Sequence, residues 1–297
     1  MSAANSDFTR PARRPDFARA FDAVRRITAE PLGALGIFLV ALMIGGALFA
    51  DWLSAYEPGK ISPRDRFLVP SWQHLLGTDQ LGRDLFSRVL HGGRIALTVA
   101  LFSTAVSLLI GIVLGLIAGY GPRWLDNLLL LLFDSIKSFP TVMLALALVT
   151  LFGPSLTAVV IVVVLVNVPG YARIIRTQTL ALKESEFVTA AESMGAGTVR
   201  ILRVHILPNV LGPLLILTSM DIPVVIAIEA GMSFLGLGVR PPTPSWGSIL
   251  NDGFTAIRDT PWIAIAGGLP IILTTLGFTF LGETMRDVFD PRLKRHA

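Results

Sequence analysis

The chain carries several uncharged windows long enough to cross a bilayer. Leu32 to Ala50 contains no charged residue, and neither does Ile95 to Tyr120. About 20 consecutive apolar residues in a helix cross a hydrocarbon core. Inside that core every backbone polar group must find its partner within the protein, so helices or a closed barrel are the available forms. Four further runs read the same way, at about 125–152, 156–172, 210–237 and 262–282. The expectation is an all-α polytopic membrane protein of six spans. The third span carries Asp134 and Lys137, with Pro140 as a kink, and the turn Gly153–Ser155 ends it. Prolines 169, 213, 223 and 270 fall inside spans, where neighbouring helices can satisfy the freed backbone groups. Charged residues make up 15% of the chain, against about 25% in soluble proteins.

Six spans put both termini on one side, and the distribution of Lys and Arg selects which. With the termini inside, the inner segments 1–31, 121–124, 173–209 and 283–297 carry 16 Lys and Arg, and the outer segments 51–94 and 238–261 carry 8. Both termini are therefore expected to be cytoplasmic. This divides the chain into a cytoplasmic segment 1–31, a membrane domain 32–286 and a cytoplasmic tail 287–297. Arg13, Arg14, Arg25 and Arg26 mark the inner side or form a surface helix on anionic lipid. The N-terminus lacks the apolar stretch and small-residue site of a signal peptide. With no cysteine and four scattered histidines, no metal site is expected, and the net charge of +4 does not point to nucleic acid.

One stretch contrasts with the rest. Glu184 to Val210, ESEFVTAAESMGAGTVRILRVHILPNV, is polar and broken by glycine. Phe187, Ala190, Ala191 and Met194 stand at i, i+3, i+4 and i+7, one apolar face of a short helix. Gly195 and Gly197 end that helix, and Thr198 is an N-cap for a second one bearing Val199, Leu202 and Ile206 on one side. An amphipathic pair of this kind either rests among lipid headgroups or serves as a docking element. The small apolar face, and the tethering of both ends to spans, favour docking.

The segment TAAESMGAGTVRILRVHILP resembles the EAA loop of ABC-transporter inner-membrane permeases, through Ala190, Ala191, Gly195, Leu207 and Pro208. Thr189 stands where glutamate is commonest and His205 where isoleucine is commonest; the HILPN form resembles the dipeptide/oligopeptide/nickel branch. GTDQLGRDLFSR (Gly77–Arg88), FDSIKSFPTVMLALALV (Phe133–Val149), EAGMSFLGLGVRPPTPSWG (Glu229–Gly247) and RDVFDPRL (Arg286–Leu293) resemble further segments of that branch, in order. The resemblance covers nearly the whole chain from residue 32 onward. It implies the second permease subunit of a peptide-type importer in the bacterial cytoplasmic membrane, with a type I importer fold. It implies a homologous second permease, one or two cytoplasmic ATPase subunits and an external substrate-binding protein. Implied cargoes are peptides, nickel chelates, glutathione or opines. The loop 184–208 would couple to the ATPase through Glu186, Ala190, Ala191, Gly195, Leu207 and Pro208, with a carboxylate at 186 or 192 open to contact it.

The chain's own residues offer no engine. Pro58–Ser62 (PGKIS) has Gly-Lys but lacks the hydroxyl residue and the upstream glycine of a phosphate-binding loop. No hydrolase elbow or zinc-protease motif occurs. No catalytic residue and no cofactor are assigned, and ATP and magnesium belong to the implied ATPase. Asp221 and Glu229, embedded in the fifth span, are candidates for the translocation pathway or for pairing with the partner permease; Glu229 also suits a structural role at the outer end of its span. Such groups are costly in a membrane and mark function by default. Asp134 and Lys137 are expected to pair near the interface. Gly111, Gly115 and Gly119 form overlapping GxxxG for close helix packing. Asp84 and Arg88, at i and i+4, are expected to pair on a helix surface. Trp246 is expected at the membrane interface or against the binding protein. The alternative is an ion-coupled secondary transporter using Asp134, Asp221 and Glu229, against which no internal repeat is visible. An intramembrane enzyme lacks its constellation.

Overall fold

The computed structural model describes residues 25–289. Arg13, Arg14, most of the expected N-terminal segment, and the tail from residue 290 lie outside the described residues. Among those described, the structure is helical, with a single isolated bridge between Thr78 and Asp84.

Helix α1, Pro31–Leu48, opens on a proline at its first position, where the missing N–H is no loss. A short α2, Ala50–Leu53, follows. Helix α3, Leu85–Tyr120, has 36 residues, about 54 Å at 1.5 Å per residue. That exceeds the hydrocarbon thickness of about 30 Å. It begins ten residues before the expected Ile95, because Asp84 caps it by accepting from the Ser87 backbone N–H. Helix α6, Leu156–Lys183, similarly continues past the expected Ala172, so its last turns stand clear of the apolar run. Helices α9, Leu207–Phe234, and α11, Trp262–Phe289, each have 28 residues, and α10, Trp246–Thr255, lies between them.

The third span departs from expectation. It is two helices, α4 (Arg123–Lys137) and α5 (Thr141–Phe152), bent by 89°. Proline displaces its predecessor from helical geometry, and the break falls at Ser138–Pro140. The first arm is amphipathic, with Leu129 and Phe133 buried and Arg123, Asp126, Asp134 and Lys137 distributed along it. Five helices are long and apolar enough to cross a membrane, and the bent pair makes six if its arms form one span.

Close backbone approach organises the bundle. A Cβ on Gly36 of α1 would stand 2.8 Å from the Leu281 amide of α11, and one on Gly277 of α11 would stand 2.9 Å from Leu39 Cβ. In a bilayer such approach substitutes for the absent hydrophobic drive. The largest buried cluster joins Val99 of α3, Val162 of α6, Ile226 of α9, Trp246 of α10 and Phe278 of α11. Trp246 is 2% exposed and its Nε1 donates to Val89 O at 2.9 Å, so the expected interfacial Trp is a core residue. Gly92 and Gly93 leave it room.

Candidate functional site

The polar stretch after α6 folds as α7, Glu186–Ser193, then α8, Thr198–Arg200, which runs through a π-helical stretch, Ile201–Ile206, into α9. Gly195 closes α7 with φ +81°. Its N–H donates to Glu192 O at 2.9 Å, and the Ala196 N–H donates to Ala191 O at 3.0 Å. These two bonds form a Schellman cap, which needs a left-handed residue at that position. The N-cap of the second helix is Gly197, not Thr198, whose side chain makes no cap. Pro208 does not separate the loop from the fifth span. It occupies the second position of α9, so the chain from Thr198 to Phe234 is one helical rod.

The expected apolar face of α7 is divided. Ala191 turns inward with Val188, and both are buried; Phe187, Ala190 and Met194 remain exposed, Met194 at 82%. The inner side enters a cluster formed by Val188, Ile201, Ile206, Tyr171 and Ile175 of α6, and Val210 and Leu214 of α9. Outside, Glu186 and Pro208 are exposed and Leu207 is half-buried. No atom lies within 4 Å of a Cβ built on Gly195 or Gly197. Of the two carboxylates open to contact, Glu192 is occupied: Tyr120 Oη donates to its Oε1 at 2.7 Å. Lys183 lies over the Tyr120 ring at 4.8 Å. Glu186 is the free one.

The loop's supporting helix is braced by two ion pairs that the sequence reading missed. Arg176 of α6 holds Asp126 of α4 with contacts of 2.5 and 2.6 Å, and Arg173 holds Asp134. Asp134 therefore pairs across helices and not with Lys137. The three glycines of α3 face the same helix. Built Cβ atoms on Gly111, Gly115 and Gly119 would stand 2.5 Å from Tyr171 Cβ, 2.6 Å from Ala172 O and 2.7 Å from Thr179 Cβ.

The two acids of α9 differ in access. Asp221 is half-buried, with Tyr171 and Lys137 as its charged or polar neighbours. Glu229 is 1% exposed, accepts from Ser233 Oγ at 2.7 Å, and has no partner for Oε2. Of the two, Asp221 is the one that keeps partial exposure.

The opposite end of α9 meets a buried charge network. Asp79 accepts from Arg83 Nε at 2.6 Å, and Asp252 Oδ2 accepts from Arg83 at 3.1 Å and Arg88 at 3.3 Å. Arg88 is 3% exposed. Asp84 is engaged by His74 and Ser87. The expected Asp84–Arg88 surface pair does not form: both residues are buried and each has other partners.

A bundle of five long apolar helices and a bent pair, with a rigid polar elbow joined to one span, defines a multi-pass membrane transport component. The profile described as "Binding-protein-dependent transport system inner membrane component" matches residues 111–295, and the chain belongs to this family of bacterial inner-membrane permeases. It is 37% identical to the dipeptide transport system permease protein DppC of Alkalihalophilus pseudofirmus, over 92% of this chain and 90% of that one. It is 39% identical to the di/tripeptide transport system permease protein DppC of Pseudomonas aeruginosa, over 91% of each. It is 41% identical to the glutathione transport system permease protein GsiD of Pectobacterium atrosepticum, over 88% and 87%. Nothing in these three names points to an ion-coupled carrier. A solved chain of the MetNI methionine ABC transporter in inward-facing conformations shares the fold at a TM-score of 0.54 and 18% identity, covering 68% of this chain and 97% of that one.

Proposed function

We propose that this permease carries peptides or similar small solutes, delivered by an external binding protein, and that it works beside a homologous second permease. ATP hydrolysis takes place in one or two separate cytoplasmic ATPase subunits. Residues 184–208 are the coupling element, both termini are cytoplasmic, and Asp221 lines the pathway. Gly111, Gly115 and Gly119 hold α3 against α6. The observation that carries the reading is the two-sided α7. On its inner side Val188 joins the buried cluster and Ala191 is buried; on its outer side Ala190 and Met194 are exposed, as is Phe187, whose ring lies 6.2 Å from that of His205. A rigid small helix with one free apolar face is suited to sit in a groove of another protein.

Gly195 supplies the test, because its surroundings are open while its backbone is left-handed. The chain is co-purified with its partner subunits, and ATPase retention and binding-protein-stimulated hydrolysis are read. Gly195→Asn, a residue that tolerates this conformation, is expected to retain both. Gly195→Trp adds bulk outside the chain and is expected to lose ATPase retention or stimulation. Wild-type levels in Gly195→Trp would remove the loop from the docking surface.

A further inference from the structure

We infer that Tyr120, the last residue of α3, positions the coupling helix α7, and that α3 is the path by which binding-protein contact at the remote end of the bundle reaches the ATPase. The inference rests on the reading of 184–208 as the coupling element; the contacts behind it are the chain's own.

One stripe of α3 lies against the elbow. Leu108, Ile112, Leu116 and Tyr120 pack on the cluster that holds Val188, Ile201 and Ile206. Residues four apart on a helix share a face, and Tyr120 ends this one. It is engaged in three ways. Its Oη donates to Glu192 Oε1 at 2.7 Å, its ring centre lies 4.8 Å from Lys183 Nζ, and its carbonyl accepts from that Nζ at 3.3 Å. Glu192 stands in the last turn of α7, and its own carbonyl accepts the Gly195 N–H of the cap. A single residue therefore joins the end of α7 to α3 through its side chain and to the Gly195 turn through its backbone. The bond is near the surface, since Tyr120 is half-buried and Glu192 exposed. A hydrogen bond in that setting adds little to global stability. Its consequence is positional: without it Val188 still seats α7, but the contact fixing the end of α7 against α3 is gone.

The opposite end of α3 is tied as closely. Its cap, Asp84, is engaged by His74; Arg88 donates to Asp252 of α10 at 3.3 Å; and Val89 O accepts from Trp246 Nε1 of α10 at 2.9 Å. Helices α6, α9 and α11 contain prolines, at 169, at 208, 213 and 223, and at 270, whereas α3 has none in 36 residues. Proline removes a backbone hydrogen bond and is a usual place for a helix to bend. A helix without one, fixed to α10 at one end and to α7 at the other, is suited to carry a displacement between them. On the importer reading α10 lies on the side of the binding protein and α7 on the side of the ATPase.

The experiment uses the chain co-purified with its partner subunits, in lipid nanodiscs. ATP hydrolysis is read with and without the binding protein, together with ATPase retention and the thermal midpoint. Tyr120→Phe keeps the ring and the backbone and removes only the hydroxyl. It is expected to keep retention, basal hydrolysis and midpoint, while stimulation by the binding protein falls about threefold or more. Glu192→Ala is expected to lose the same stimulation, and Glu192→Gln, which keeps an acceptor oxygen, to retain most of it. Tyr120→Phe combined with Glu192→Ala should lose no more than either alone, the mark of one shared contact. Undiminished stimulation in Tyr120→Phe overturns the inference, and so do additive losses in the double variant. A midpoint or basal rate that falls in step with stimulation in Tyr120→Phe also overturns it, because the hydroxyl would then be merely structural. Loss of ATPase retention in Glu192→Ala but not in Tyr120→Phe would make Glu192 a docking contact instead. Gly195→Trp, measured alongside, separates the two readings. If it loses the ATPase while Tyr120→Phe keeps full stimulation, this inference falls and the coupling element stands. If it behaves as wild type, the docking reading falls, and this inference with it, whatever Tyr120→Phe does.

Discussion

At the scale of single residues, buried charge separates this chain from its local sequence pattern. Asp79 is fully buried and accepts from Arg83 and from the backbone of Leu81 and Arg83. Asp79→Ala leaves two buried guanidinium groups short of a counter-charge, a change worth about 3–5 kcal/mol when one partner of a buried pair is removed. The expected outcome is a markedly lower thermal midpoint in detergent, read by tryptophan fluorescence. The comparison is Asp51→Asn. The Arg94 guanidinium, and then the His91 ring, hold the Asp51 carboxylate below the usual range, but the group is exposed to water. Surface pairs of this kind add little, so its midpoint should stay near wild type. Spacing alone suggested that Asp84 and Arg88 pair. Their actual partners include Asp252, 164 residues further along than Arg88. Nothing local in a sequence encodes such a distant contact, whereas the turn at Gly195 is local and was readable from its glycine.

Helices as elements were legible wherever apolar length or small-residue period decided them. The i, i+4 glycines of α3 predicted a close contact, and the contact helix is α6, where Gly115 meets Ala172 O and Ile175 Cβ. A side chain there must displace backbone. Gly115→Val is expected to destabilise by about 1–3 kcal/mol or more, the usual scale of overpacking. Gly45→Ala of α1, where no atom lies within 4 Å of the new Cβ, should be neutral or better, since alanine favours helix. A Gly115→Val protein with an unchanged midpoint would show that α3 and α6 can separate without loss. The bent third span was less legible. Pro140 marked a kink, but the 89° turn also depends on Arg173 and Arg176 of α6 drawing the charged face of α4 against α6. That is a tertiary choice between two arms, each apolar enough on one side.

For the whole molecule, the continuity of the rod from Thr198 to Phe234 decides how force can travel. Spans joined to the elbow by a flexible hinge would let ATPase movement dissipate in the hinge. Here the π-helical stretch keeps Ile201 and Ile206 buried in one cluster with Tyr171 and Ile175, so the proposed coupling element is packed against α6 and runs into α9 without a break. Such local widenings of a helix recur at functional positions. Docking and transmission should then be separable by mutation. Ile206→Ala and Val188→Ala remove side chains from the inner cluster and leave Phe187, Ala190 and Met194 in place on the outside. The double variant is expected to retain its ATPase on co-purification and to hydrolyse ATP, while solute taken up per ATP falls several-fold in proteoliposomes. Loss of retention instead would mean that the inner cluster fixes the docking surface itself. Full coupling in the double variant would show that force reaches the spans by another route, such as the α4–α6 contact made by the Asp126–Arg176 and Asp134–Arg173 braces and by Leu129 and Phe133 packed with Ala172.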